Sequence, residues 1–315
     1  MGLVIGMDEA GYGPRLGPLV VTATVWEVPG DPRKVDLWRL LESVVTPKPA
    51  RDEHRLHLAD SKQVYNAGKG LAALERTVLA ALELCESRPQ SFRELCGVLA
   101  PDAVCELNAE PWFDDADLPL PHGSSSQPTG NTAADWKDCC CRHGIQLRAI
   151  RSDVVLTERF NRLTRDCGTK GAALSTTTFR LLRSVWDPDD PQPVLVVGDK
   201  HGGRNRYDQL LDDVLDGQMI FRRQESTPLS VYQVKSTELR FQAKGESQLP
   251  VALASMVCKY IRELAMTLFN RFWNSHLPEL KPTEGYTTDA NRYRSEIAGA
   301  QANLGISNDL LWRMR

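Results

Sequence analysis

Short apolar runs alternate with longer amphipathic stretches along most of this chain, so the hydrophobic period switches repeatedly between that of a strand and that of a helix. Leu3–Met7 (LVIGM) and Leu19–Trp26 (LVVTATVW) are apolar, rich in β-branched residues and without helical period. They predict two strands joined by a glycine-rich turn. From Leu71, apolar residues at Leu71, Leu74, Val78, Leu79 and Leu82 recur at helical spacing and predict a helix with one face on a core. Gln146–Val155 predicts a further strand, and Glu158–Trp186 a helical stretch broken at Gly168–Gly171. Val194–Gly198 (VLVVG) predicts a buried central strand, because it is almost wholly apolar and ends in the charged turn Asp199–Arg206. Alternating stretches between Gln218 and Lys244 suit one or two hairpins, and Pro250 opens a long helix with an apolar stripe from Ala254 through Val257, Ile261, Leu264 and Leu268 to Phe272. Strands interleaved with helices predict an α/β protein.

Between these elements, Pro119–Asn131 (PLPHGSSSQPTGN) has the proline, glycine and serine content of a surface loop. It is expected to tip an insertion over about residues 89–144, which carries some helical character (FRELCGVL) but no motif that connects to chemistry. No internal repeat is visible. Composition changes this picture little: 42% hydrophobic and 25% charged residues in 315 are ordinary for a globular chain, which excludes extensive disorder. No apolar run approaches the roughly 18 residues of a spanning helix, so no membrane role is expected. The start MGLVIGMDEA has neither the basic leader nor the cleavage site of a signal peptide, and a cytoplasmic location is expected. Eight cysteines in such a chain are expected as reduced thiols. Cys139, Cys140 and Cys141 beside His143 are not expected to hold zinc, since adjacent residues do not converge on one tetrahedral ion.

Candidate chemistry lies at the strand ends. The first apolar run passes into Asp8 and Glu9, which alternation would point to opposite faces; both reach one site only if the chain turns there, as Gly11 and Gly13 permit. Asp199 follows VLVVG as Asp8 follows LVIGM, and two neighbouring strands ending in acids at one sheet edge make a binding crevice. GMDEAGYGPRLG provides no GxGxxG and sets acids where nucleotide phosphates would lie, which argues against a dinucleotide enzyme.

The stretch MDEAGYGPRLGP resembles the opening signature of type II ribonuclease H, a strand running into DEAGRGPLAGPV or a close variant. The resemblance recurs in order: His57–Lys62 (HLADSK), Val194–Lys200 (VLVVGDK), Lys244–Arg262 (KGESQLPVALASMVCKYIR) and Gly285–Thr288 (GYTT) are similar to the DSK, second acidic strand end, KGD-plus-helix and GYxT segments. It implies a ribonuclease H-like α/β fold, a mixed central sheet flanked by helices. Residues 1–275 would form the catalytic domain and 276–315 a helical extension. It implies an endonuclease that hydrolyses the RNA strand of RNA/DNA hybrids, or cuts at ribonucleotides embedded in duplex DNA, with two Mg2+ or Mn2+ ions held by Asp8, Glu9, Asp199 and Glu246. Such hard ions, about 4 Å apart, suit an all-carboxylate set. Gly11, Tyr12, Gly13, Lys62 and Tyr286 fall on substrate-binding positions, with Lys200, Arg204 and Arg206 as a further basic rim, and a monomer is expected. Glu263, about 20 Å along its helix, is read as a helix salt-bridge partner rather than a ligand. Three departures stand out: Tyr12 replaces the arginine of GRG, Glu246 replaces an aspartate, and Asn291 replaces a histidine. The other readings are a nuclease of this fold with a DNA or structured substrate, and a nucleic-acid-binding protein impaired in catalysis.

Overall fold

The computed structural model describes residues 1–48, 54–65, 70–123, 131–215 and 217–314. The chain opens with strands β1 (Gly2–Ala10) and β2 (Leu19–Val28), helix α1 (Leu37–Leu40) and a two-residue parallel pair, β3 (Val45–Thr46) with β4 (Leu56–His57). Helices α2 (Ser61–Val64), α3 (Ala72–Leu84), α4 (Phe92–Leu99), α5 (Pro101–Leu107) and α6 (Asn131–His143) follow. Next come β5 (Gln146–Val155), α7 (Thr157–Asp166), α8 (Lys170–Val185), β6 (Val194–Asp199) and α9 (Asp208–Leu215). The antiparallel run β7 (Phe221–Glu225), β8 (Leu229–Val234) and β9 (Thr237–Gln242) leads into α10 (Leu249–His276), and α11 (Thr287–Asn303) and α12 (Asn308–Leu311) end the chain.

Seven strands form one mixed sheet in the order β5-β2-β1-β6-β9-β8-β7. β1 is antiparallel to β2 but parallel to β6, and β6 is parallel to β9, so β1 and β6 deliver their last residues to the same edge. Alternation divides the sheet's side chains between two cores. Val4 and Val20 face α10 and the helices of 72–143, whereas Ile5, Met7 and Val21 face α7, α8 and α9. The expected mixed sheet flanked by helices is what the chain forms.

α10 presses directly on β1. A Cβ at Gly6 would collide with the backbone of Pro250 and Val251, so only glycine lets the first turn of α10 lie against the strand. The helices of 89–143 share the α10 core: Trp112 meets Phe269 edge-on at 5.0 Å, and Trp136 lies 6.4 Å from Trp26. The expected surface loop at 119–131 needs correction over its first part. Leu120 is buried, and the amides of His122 and Gly123 donate to the fully buried carboxylate of Glu75, which could not be left without donors. Residues 124–130 of that loop lie outside the described residues. Among the described residues no helix is long and apolar enough to cross a membrane.

Candidate active site

The chain does not turn at the two acids. β1 keeps its ladder to β2 as far as Ala10↔Val20, so Asp8 and Glu9 remain strand residues on opposite faces, and the chain turns only at Gly11, whose φ is 87°. Asp8 lies on the α10 face. Ser255 gives its carboxylate a hydrogen bond, and the Cys258 thiol donates to its backbone carbonyl at 3.2 Å. Glu9 lies on the face of Ile5 and Met7, yet the charge of Asp199 acts on both carboxylates, so at this strand end the two acids share one edge without the turn that alternation was expected to require.

Parallel register pairs Met7 with Gly198, which sets Asp199 beside Asp8 at the common edge. Asp199 Oδ1 accepts the amide hydrogen of Gly245 at 3.2 Å. A Cβ at Gly245 would lie 2.9 Å from the Asp199 nitrogen, so glycine allows the turn before α10 to pass this close. Glu246, the next residue, is thereby carried to the same edge and is half-buried there.

The charge of Asp199 acts on the other three acids. Burial pushes Asp8 up to about 7, with Asp199 and Asp60 adding repulsion against the hydrogen bond from Ser255. Burial and the charges of Asp8 and Asp199 push Glu9 up to about 8, opposed by Lys62. Glu246 is raised by burial and by Asp199 and Asp60, again opposed by Lys62. Among the described residues no three carboxylate, histidine or cysteine side chains are already disposed to hold one metal ion. The donor set nevertheless suits hard divalent cations: every candidate is a carboxylate, and their crowding is the repulsion that such an ion relieves.

The substrate-binding candidates surround this edge. Lys62 is exposed at the start of α2, held there by Asp60, whose carboxylate caps the helix by accepting the Lys62 amide at 3.1 Å. Gly11 is packed: a Cβ would lie 2.5 Å from the Pro18 carbonyl. Gly13 is exposed with open space about its Cα. Tyr12 lies half-buried between them, its ring against Gly202 and under the Lys170 ammonium. Tyr286 is 51% exposed beside the same loop, since Gly285 packs on Leu16 and accepts the Arg15 amide at 2.7 Å.

Lys200 does not belong to a basic rim. Its ammonium is turned inward and donates to Asn205 Oδ1 at 2.8 Å, the Ser226 carbonyl at 2.7 Å and Ser230 Oγ at 3.0 Å, because three acceptors behind β6 satisfy it better than solvent. Arg206 is exposed and reaches Glu225 at 3.8 Å. Glu263 has the structural place expected of it: it pairs with Lys259 one turn back and accepts from Tyr65 at 2.8 Å. Cys139 and Cys140 are buried on α6 while Cys141 is exposed, so the three thiols diverge around the helix.

Several contributors escaped the sequence reading. Asp60 and Ser255 are one; the DSK motif was visible, but only its lysine was assigned. The other is a pair of buried arginines under the Gly11–Pro18 loop. Arg262 donates to the carbonyls of Pro18 at 3.0 Å, Leu16 at 3.3 Å and Glu284 at 2.9 Å. Arg313, brought in by the C-terminal segment, donates to the Gly11 carbonyl and stacks 3.8 Å over Phe160. A charged residue inside the apolar stripe of α10 was a signal for Arg262; Arg313 had none.

No protein-family model matches the chain, and no curated protein does. Solved structures are similar to it. Over 99% of its length it is similar to ribonuclease HII from Archaeoglobus fulgidus, solved in a complex with PCNA, at 13% identity, 94% of that chain and a TM-score of 0.47. Ribonuclease H2 from Pyrococcus horikoshii OT3 is similar over 98% of this chain and 92% of its own, at 13% identity and a TM-score of 0.45. Bst-RNase HIII, solved with Mn2+, is similar over 99% of this chain and 65% of its own, at 17% identity and a TM-score of 0.46.

Proposed function

We propose that the chain is a metal-dependent endonuclease acting on RNA/DNA hybrids or on ribonucleotides embedded in duplex DNA, with residues 1–275 as the catalytic unit braced by 276–315. The observation that supports this most is that two parallel strand ends and a glycine turn bring Asp8, Glu9, Asp199 and Glu246 to one sheet edge, where the charge of Asp199 raises the other three acids and Lys62 opposes only part of the shift. Two Mg2+ or Mn2+ ions held by these carboxylates would supply an activated water and stabilise the leaving oxygen of an in-line displacement. The protein's own groups do the rest. Ser255 fixes Asp8 by a hydrogen bond, and the Asp199 bond to Gly245 fixes the turn that carries Glu246. Lys62 stands where a phosphate beside the acids would be met, and the open backbone at Gly13 admits a ribose closely. Tyr286 offers an exposed face to the strand.

A second reading keeps the acids and changes the substrate to DNA, and Tyr12 in place of an arginine favours it. One experiment separates these readings and the catalytically impaired binder: purified chain is incubated with a duplex carrying a single ribonucleotide, a full hybrid, duplex RNA and duplex DNA, with magnesium and with manganese. Cleavage confined to the first two substrates is expected. Equal cleavage of all-DNA duplex would favour the second reading, and binding without cleavage in either metal the third.

A further inference from the structure

Beside the acid edge, on the α8 face, lies a group of cations that make no ion pair among the described residues. Lys170, the first residue of α8, holds its ammonium 4.8 Å from the centre of the Tyr12 ring. At the next residue, Gly171, an added Cβ would stand 3.4 Å from the Tyr12 hydroxyl and 3.9 Å from the Arg204 guanidinium. The space over Gly171 is therefore bounded by a hydroxyl and a guanidinium, with an ammonium beside it. Lys170 and Arg204 are half-buried, and among the described residues neither makes an ion pair. A partly desolvated cation without a counter-charge is a cost that packing alone does not explain. A third cation adds to the imbalance: Arg313 is fully buried under the same loop, and two of its guanidinium nitrogens have no hydrogen-bond partner among the described residues. The charges of Arg204 and Arg313 both act on the Tyr12 hydroxyl, as does that of Glu9, so this space adjoins the acid edge.

We propose that Tyr12, Lys170 and Arg204 form, over Gly171, a subsite for one backbone phosphate of the nucleic-acid strand next to the cleavage point. A phosphate matches the donors: a guanidinium and a hydroxyl give hydrogen bonds to its oxygens, and the lysine gives a point charge. The start of α8 adds the positive end of its dipole. On this account the charge removed from the glycine turn by Tyr12 is resupplied from α8 and from the loop after β6, and Tyr12 supports Lys170 instead of reaching phosphate as a cation. The inference rests on the nuclease reading above and specifies which side chains meet its substrate.

The test is equilibrium binding of the full-length protein to a labelled hybrid duplex in magnesium over a range of salt, with Asp199→Asn in every sample to stop cleavage. Lys170→Ala and Arg204→Ala should each weaken binding about three- to tenfold, and the double variant should lower the salt slope by roughly one, the loss of one phosphate contact. Gly171→Ala isolates the space itself. Its methyl fits in ordinary contact and alanine favours the helix, so the melting temperature should hold while affinity falls. Lys34→Ala, an exposed cation near the opposite end of β1, should change neither. Unchanged affinity and slope in the double variant, or an equal loss in Lys34→Ala, would overturn the subsite while a hybrid-cutting wild type left the nuclease reading standing. A wild type that neither binds nor cuts any duplex would overturn both.

Discussion

The chain buries carboxylates in two places and treats them in opposite ways. Glu75 and Glu110, on the side of α3 to α6, are supplied with donors, although Glu106 and Glu158 also act on Glu110. Glu75 receives the Tyr260 hydroxyl at 2.7 Å and the amides of His122 at 2.5 Å and Gly123 at 2.8 Å; Glu110 receives the Thr157 amide at 3.0 Å and the Trp112 indole at 2.6 Å. Burial pushes Glu110 up to about 8, yet its partners hold it in one geometry. At the sheet edge, Asp199 and Asp60 act on both Asp8 and Glu246, and Asp8 and Asp199 act on Glu9, with Ser255 and Lys62 as relief. An acid surrounded by donors joins elements of the fold. Acids set near other acids carry a repulsion that a bound cation would relieve.

The largest contrast is between removing charge from each place. Asp8→Asn or Asp199→Asn should lower cleavage at least ~1000-fold, because each removes the charge of a proposed ligand with little change of shape, while the metal-free protein melts no earlier than wild type. Glu75→Ala should do the reverse. It strands one hydroxyl and two amides in the core, costing on the order of 3 kcal/mol, but leaves cleavage per folded molecule unchanged. Turnover on a single-ribonucleotide duplex and denaturant unfolding of the same samples measure both. Near-normal turnover in either aspartate variant would remove those residues from the site.

The next contrast lies within one segment. Glu246→Gln should reduce cleavage by about 100-fold or more, since on the proposed assignment a metal ligand is lost. Glu263→Gln should cost less than about threefold, because the amide keeps the Tyr65 hydrogen bond and loses only a helical pair with Lys259. The reverse order in a steady-state assay would show that the wrong acid of the two has been assigned.

What the sequence made legible follows from where each signal resides. Asp8 and Asp199 could be read because each ends an apolar run, and burial of that run sets its end at the sheet edge. The helix from Pro250 and the strand 146–155 were readable for the same reason, a local period. Asp60 was not: its significance depends on acids far away in the chain that only the fold brings near. Lys200 looked like a surface cation because nothing nearby in sequence reveals the acceptors at Ser226 and Ser230. The continuation of β1 through Asp8 and Glu9 depends on pairing with β2, which outweighed the glycines as a turn signal. Arg313 lies 302 residues from the carbonyl it holds.

A smaller effect separates the two places by pH. Asp8 and Glu9 are raised from 3.8 and 4.5 in this fold to about 7 and 8, so between those limits the folded protein binds more protons than the unfolded chain. Their contribution to stability is full below about 4 and is lost as pH rises through 7 to 8. In metal-free protein, unfolding free energy should therefore fall from pH 5 to 8 more steeply in wild type than in Asp8→Asn, and added magnesium should flatten the difference. Equal slopes by denaturant titration, with or without the substitution, would mean that the edge is solvated well enough to carry its charges without an ion.

The smallest effect tests how the cations beside the acid edge are balanced. Tyr12→Arg restores a guanidinium to the glycine turn, where it can form a charged, often bidentate contact with phosphate. In this chain it would also stand beside Lys170 and Arg204 and above Arg313, where the tyrosine ring now receives the lysine's charge. Without nucleic acid, four cations would then share one corner, and like charges repel. The unliganded variant should melt a few degrees earlier, with the deficit shrinking as salt is added. With a hybrid duplex it should bind more tightly at low salt and with a steeper salt slope, since another neutralised phosphate releases another counterion. Opposite signs for stability and affinity distinguish this account from a simple rim position, where arginine would strengthen binding and leave melting alone. If Tyr12→Arg leaves affinity and salt slope unchanged, no phosphate passes the turn.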